Sequence, residues 1–508
     1  MSHLSHSDTI GAALARAARK YRGRTALIFG DRSWSYDDID RAADNIASVL
    51  LKAGCAKGDR VAAFGRNSDA YLLTWFGCAR AGLVHVPINY HLHGEALTFI
   101  LRQSGARALV TDENLIAMTA DLRDLPELAI RGTFAGASDL DMLSAAQKLQ
   151  RNMPDVVVEG GDLAQIQYTS GTTAIPKGAM MAHRAILFEY MSCLHDLDYS
   201  ADDRCLAALP LYHTAQMHCF STPQMLGGAL TVLIDGPAPA QVFGCMSRYR
   251  LNSLFAPPTV WINLLRQPGF DEHFGSLRKL YYGASIMPGP VLAEIRSRLP
   301  EAGVYNVYGQ SEIGPVATVL SPSDHALRPL SVGRPVINVE TRIVDADMND
   351  VAPHEHGEIV HRSPQLLSGY WQRPDETEAA FRGGWFHSGD LGYADEEGYI
   401  YIVDRIRDVI NTGGVLVAGR EVEDALFTHP AVAEVAVIGL PDPLWIEAVT
   451  AIVVLAPDAA ADVEELKAHA RSKLAPHQLP KRIIFIDDLP RNASGKVLKR
   501  ALREQFAA

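Results

Sequence analysis

The richest concentration of reactive residue types lies at residues 167–178, QYTSGTTAIPKG. There an apolar run ending at Tyr168 passes into Thr169, Ser170, Gly171, Thr172 and Thr173, followed by Lys177. Backbone N–H groups and hydroxyls in such a loop can donate to phosphate oxygens while a lysine supplies positive charge. The spacing does not fit GxxxxGK[ST], so this is not a Walker A loop. A plain polar turn is the competing reading of the same residues. Glu312 follows a turn and offers a carboxylate able to hold a hard cation such as Mg2+, or is a solvated loop glutamate. Asp390, after His387, Ser388 and Gly389, has two acceptor oxygens suited to a pair of hydroxyls, or caps a turn. Lys496 ends the turn-prone NASGK of residues 492–496 in a basic tail with Arg491, Lys499 and Arg500. On residue type alone it reads as solvated charge.

The elements that must position these groups follow an α/β rhythm. Helical spacing over residues 36–53 and 71–81 alternates with the short apolar runs RVAAF at 60–64 and VHVP at 84–87. The rhythm continues through runs at 206–209, 230–234, 254–256 and 279–282, which predicts parallel sheets covered by helices. Past Gly333 the strands shorten, as in VETRIV at 339–344 and GEIV at 357–360, and a smaller β-rich subdomain is expected. After Asp404 the order is helix at 420–427, strands at 432–438 and 449–455, helix at 463–474, strand at 482–486 and a basic tail. That is a compact α+β unit of about 100 residues, a size that can fold alone. The expected fold class is α/β: a large N-terminal domain (1–404) of layered α/β subdomains plus a small β-rich subdomain, then a small mobile α+β C-terminal domain (405–508).

At 508 residues, with 48% hydrophobic and 21% charged residues, the chain is built to bury large cores. A formal net charge of −12 gives no electrostatic reason to expect nucleic acid or an anionic membrane as partner. The six cysteines are scattered without a CxxC pair, so neither a zinc cage nor a disulfide framework is indicated. The first residues lack an apolar signal core, and Ala/Leu spacing behind Ser7 and Asp8 predicts a capped amphipathic helix. A cytoplasmic location is expected. Residues 205–234 hold no Asp, Glu, Lys or Arg, but prolines, paired glycines and histidines interrupt them, so buried strand, loop and helix is expected rather than a membrane span.

YTSGTTAIPKG resembles the phosphate loop of the adenylate-forming superfamily of acyl-CoA synthetases, nonribosomal adenylation domains and luciferases. YGQSE at 308–312, WFHSGD at 385–390, DRIRD at 404–408 and RNASGK at 491–496 resemble that family's later motifs in the same order. The resemblance implies ATP, Mg2+ and CoA as cosubstrates and cofactor, and a small carboxylic acid as substrate. It places the phosphates on Thr169, Ser170, Gly171, Thr172, Thr173 and Lys177, and the metal on Glu312 and Thr169. Gly283, Ala284, Ser285, Asn306, Tyr308, Gly309 and Ser311 would surround adenine and the acyl group, and Asp390 and Arg405 the ribose. Lys496 becomes the catalytic lysine of adenylation, carried on a domain that pivots near Arg407. His213 in LPLYH resembles the position gating the acyl pocket, against a buried histidine satisfied by a carbonyl, and residues 257–265, with Trp261, would line the acyl cavity or belong to the core.

The implied activity is ATP-dependent carboxylic acid–CoA ligation through an acyl-adenylate, with a fatty or aryl acid as substrate. Four departures qualify the match, one of them Arg407, which stands where the hinge usually has Asp or Lys. Ala174 replaces a usual glycine and predicts φ < 0 or strain. Ser311 replaces threonine and keeps the hydroxyl. GGVLVAG at 413–419 stands where many CoA ligases read GGENIYP, so Val415, Leu416 and Val417 leave other acceptors open: a separate carrier protein, an amine or nitrite. A homodimer is compatible with all of these readings.

Overall fold

The computed structural model describes residues 7–507 except 121, 124, 170–175, 286, 458 and 492–496. Two large sheets organise the N-terminal 335 residues. One has six strands in the order Ile130–Thr133, Ala106–Thr111, Arg60–Phe64, Val84–Ile88, Leu163–Thr169 and Lys177–Ala182, all parallel except the last pair. The other has nine, with the parallel run Gly303–Tyr308, Lys279–Gly283, Ser253–Phe255, Arg204–Ala207, Leu230–Leu233 and Thr25–Phe29 at its centre.

These strands carry unbroken apolar runs because parallel sheets are covered on both faces. All five residues of Val84–Ile88 are buried, as are all thirteen of the helix Asp69–Ala81, which Gly82 ends with φ 65°. Tyr36–Lys52 starts at a capping box in which Ser35 and Asp38 satisfy each other's backbone N–H. Parallel strands leave a crevice beyond their carboxyl ends, where connections diverge. Thr169, Gly283 and Tyr308 all stand at such ends.

The β-rich subdomain is a four-stranded antiparallel sheet, Glu340–Val344, Gly357–Arg362, Phe386–Ala394 and Ile400–Arg405. A short 3-10 turn, Ile406–Asp408, leads into a five-stranded sheet built on the long pair Val432–Asp442 and Ile446–Leu455.

Several local expectations need correction. The first helix, Ile10–Lys20, is capped by Thr9, whose side chain accepts from the Ala12 N–H, rather than by Ser7 or Asp8. The basic tail ends in the helix Lys499–Phe506, which turns Leu502 into a core, pairs Lys499 and Arg503 with carboxylates and leaves Arg500 and Glu504 exposed. The uncharged stretch 205–234, by contrast, folds as expected into buried strand and helix: strand, π-helix Ala215–Ser221, short helix and strand. Among the described residues no helix is long and apolar enough to cross a membrane.

Candidate functional site

A cleft of about 710 Å³ opens where the nine-stranded sheet, the four-stranded sheet and the C-terminal sheet meet. Ala284, Ser285, Asn306, Tyr308, Gly309, Asp390 and Arg405 all line it. The Tyr308 hydroxyl donates to Asp390 Oδ2 at 2.6 Å, and the Arg405 Nε lies 2.7 Å from Oδ1. Burial, together with that carboxylate, pushes the Tyr308 phenol far up, so it remains a donor. Sequence reasoning missed Gln310, whose amide donates to Asp390 Oδ2 at 3.0 Å and to the Ser388 carbonyl at 2.8 Å. Its only signal was an amide at the free position of YGQSE.

Close backbone approach explains the glycines. A Cβ on Gly283 would stand 2.3 Å from the Val307 carbonyl oxygen, and one on Gly309 2.1 Å from that of Pro315. The neighbouring Ala284 has φ 64°, a left-handed conformation that costs a residue with a Cβ and often marks a functional site. The strain expected at Ala174 falls outside the described residues, as do Ser170, Gly171, Thr172 and Thr173.

Thr169 and Lys177 face each other as Cα partners of an antiparallel pair, so the ends of the phosphate-type loop are pinned together. The Thr169 hydroxyl donates to Glu312 Oε1 at 3.0 Å, and the Tyr370 hydroxyl donates to the same oxygen at 3.3 Å. Lys177 Nζ stands 5.3 Å from the Tyr370 ring centroid. Among the described residues Glu312, though buried, is held by hydroxyls and not by a cation, an oxygen-rich donor set of the kind Mg2+ takes. Tyr370, 58 residues further on, gave no sequence signal.

His213 is largely sequestered, and burial lowers its pKa to about 4, so the ring is neutral at physiological pH. Its Nδ1 accepts from the Ala215 N–H, which leaves the ring proton on Nε2 as a donor. The next residue, Thr214, shares a 2.8 Å hydrogen bond with Ser311, tying the His213 segment to the segment bearing Glu312. Trp261 is core: it is fully buried, donates Nε1–H to the Tyr281 carbonyl and packs on Phe274. The opposite face of its helix, with Pro258, Thr259 and Ile262, lines the cleft instead.

Lys496 lies outside the described residues. Its flanks, Arg491 and Val497, are bridged to one another and line the same cleft. Lys499 Nζ lies 2.8 Å from Glu423, and Arg503 is 2.8 Å from Asp408 beside the linker. Val415 and Leu416 are instead 45% and 67% exposed, in a patch with Trp445 and Ile446.

Comparison with known proteins identifies the family and the fold. The AMP-binding enzyme family matches residues 14–371, and the AMP-binding enzyme C-terminal domain matches residues 421–496. A feruloyl-CoA synthase from Amycolatopsis sp is 35% identical over 98% of this chain and 99% of its own. The fatty acid–[acyl-carrier-protein] ligase ScoC of Streptomyces coeruleorubidus is 34% identical over 95% of this chain and 93% of its own. ATP-bound MatB from Rhodopseudomonas palustris superposes with a TM-score of 0.90 at 29% identity, covering 98% of this chain and 99% of that one. Apo MatB, at the same identity and covering 99% of both chains, superposes with 0.81, so the whole chain follows the ATP-bound arrangement more closely. The chain therefore belongs to the AMP-binding enzyme family, the adenylate-forming acyl-CoA ligases.

Proposed function

We propose that this enzyme joins a fatty or aryl carboxylic acid to CoA in two half-reactions. In the first, a carboxylate oxygen attacks the α-phosphorus of ATP, the bond to the β-phosphate oxygen breaks and pyrophosphate leaves. In the second, the CoA sulfur attacks the acyl carbon, the bond to AMP breaks and the thiol proton passes to solvent. The intermediate replaces a hydroxide-like leaving group by AMP, the general logic of splitting one hard step into two easier ones. The observation that carries the reading is the shared cleft: Asp390, Arg405 and Tyr308 on one side and both flanks of the Lys496 loop on the other.

The residues divide the work. Asp390 and Arg405 hold the ribose hydroxyls, with Tyr308 and Gln310 keeping the carboxylate in place. Asn306, Gly283, Ala284, Ser285 and Gly309 shape the adenine side. Lys177, with the loop from Thr169 to Thr173, neutralises phosphate charge. Glu312 and Thr169 would hold Mg2+, which offsets charge on the phosphate oxygens when bound. Lys496 stabilises charge developing at the α-phosphate during adenylation. Neutral His213, with Ser311 tied to its neighbour, closes the acyl side. The C-terminal domain, from residue 405, then pivots near Arg407 and brings the Val415–Val417 hairpin to the cleft for thioester formation.

A second reading keeps adenylation and passes the acid to a carrier protein. It is favoured by the apolar surface of Val415, Leu416, Trp445 and Ile446, which departs from the usual CoA-ligase segment and faces solvent here. Mass spectrometry of reactions with Mg-ATP and a panel of fatty, aryl and amino acids, with and without CoA or a phosphopantetheinylated carrier protein, separates the two. Acyl-CoA is the expected product. Adenylate that persists with CoA and is consumed only by carrier would move the acceptor to the second reading.

A further inference from the structure

The helix Lys499–Phe506 carries two cations, Lys499 and Arg503, spaced one helical turn apart on the same face. Arg503 lies 2.8 Å from Asp408, and Lys499 Nζ lies 2.8 Å from Glu423 in the helix Gly419–Phe427. A further carboxylate faces Lys499 from the other side of the proposed pivot at Arg407. Asp404, buried near the end of the strand Ile400–Arg405, accepts the Arg405 N–H on Oδ1 at 2.7 Å, while its Oδ2 has no hydrogen-bond partner among the described residues. A Cβ on Gly419 would stand 3.5 Å from that Oδ2 and 3.5 Å from the Lys499 ammonium, so the two charges are at most twice that distance apart. Glycine at this position keeps a side chain out of the space between them. Asp404, Glu423 and Lys499 all line the cleft that holds Asp390 and Arg405. Burial alone would lower the Lys499 pKa, but Glu423 and then Asp404 outweigh it and keep the ammonium charged. Burial raises the Asp404 carboxyl, and Lys499 is the group that most opposes that rise.

The contacts of this helix differ in kind. Asp408, Glu423, Lys499 and Arg503 all follow Arg407, so their pairs travel together through a pivot there. Asp404 precedes it and belongs to the four-stranded sheet, where Leu391 is its Cα partner. Of these contacts, the Lys499–Asp404 attraction alone spans the pivot. It exists in the arrangement that brings Arg491 and Val497 to the nucleotide side of the cleft. Lys499 also follows directly on the base of the segment that carries Lys496, where Arg491 is bridged to Val497 and the Leu498 N–H donates to the Pro490 carbonyl at 2.7 Å.

We propose that Lys499 is a positioning residue for adenylation, whose attraction to Asp404 across the pivot holds the C-terminal domain in the arrangement that serves the first half-reaction. This role rests on the reading of the chain as an adenylating ligase that pivots near Arg407. An attraction present in one arrangement and absent from the other shifts the balance between them by its full strength, whereas a pair that moves as a unit shifts nothing.

The test measures two single-turnover rates in each enzyme at saturating Mg-ATP: adenylate formation from an acid that wild type adenylates, and transfer from supplied acyl-adenylate to the acceptor that wild type uses, CoA or a phosphopantetheinylated carrier protein. Asp404→Asn removes the charge across the pivot and leaves the Lys499–Glu423 pair in place. The ratio of adenylation rate to transfer rate should then fall about tenfold, the scale of coupling between charged residues in one network. Lys499→Met should lower the ratio by a similar factor, and Lys499→Arg, which keeps the charge, should stay within about threefold of wild type. The double variant Asp404→Asn with Lys499→Met should fall no further than the single ones, because both remove the same attraction. An unchanged ratio in Asp404→Asn, even if both rates fall together, overturns the proposal and leaves the ligase reading standing, whether or not Lys499→Met folds. A double variant whose fall is the product of the single falls overturns it as well, since the two residues would then act independently. No adenylate from wild type with any acid of the panel would overturn the ligase reading and the proposal together.

Discussion

Asp390 and Arg405 face each other as Cα partners across the antiparallel strands Phe386–Ala394 and Ile400–Arg405, with Nε 2.7 Å from Oδ1. Register thus presents an acceptor and a donor side by side at the cleft wall, with Arg405 immediately before the linker turn Ile406–Asp408. Asp390→Ala removes the acceptor and strands Arg405, Tyr308 and Gln310 without their partner. Losing a charged hydrogen bond of about 1.5–3 kcal/mol should weaken ATP binding about 10- to 100-fold. Calorimetric titration with ATP checks this, and an unchanged affinity would remove Asp390 from the ribose role.

Lys496→Ala separates the half-reactions. Adenylate formation should fall by at least about 100-fold, the scale of losing one electrostatic stabiliser of a transition state. Thioester formation from supplied acyl-adenylate should stay within a few-fold of wild type. Equal loss of both rates in single-turnover assays would show that the lysine has no specific part in adenylation.

Leu416 is the most exposed residue of the apolar hairpin. A charge there should leave adenylation intact, because the hairpin does not line the cleft in this arrangement. Leu416→Glu should slow thioester formation about tenfold, because a pivot that brings the hairpin to the cleft would strip water from the new carboxylate. Slower adenylation with normal transfer would place the hairpin's role elsewhere.

His85 supplies a pH-dependent term in stability. It is fully buried between Tyr71 and Trp75, both ring nitrogens lack partners among the described residues, and burial lowers its pKa to about 3. Below its unfolded value of about 6.5 the unfolded chain binds a proton that the native state refuses, so stability is complete above that pH and is lost as pH falls toward 3. At pH 5 the cost is about 2 kcal/mol. His85→Leu should reduce the loss of unfolding free energy between pH 7.5 and pH 5.0 by up to that amount, read from urea titrations at both pH values. His183 and His218, also held neutral by burial, act in the same direction and keep part of the slope in the variant.

Local pattern was enough to place most elements. The helix Tyr36–Lys52 and the strand Arg60–Phe64 follow directly from apolar periodicity and apolar runs, and the ordered motifs point to the family without reference to tertiary contacts. Residues whose meaning depends on distant chain escaped. Tyr370 reaches Glu312, Gln310 reaches Asp390, and the Ala284 backbone turns left-handed beside strands that meet only in the fold. Trp261 shows the same limit from the other side: helical spacing assigns it an apolar face, but packing alone decides whether that face meets a substrate or the core. The order of strands, helices and reactive residue types is legible from neighbours a few positions away in the chain. Which carboxylates are paired and which walls share a cleft depends on burial and hydrogen bonding between distant segments, and these exist only once the chain has folded.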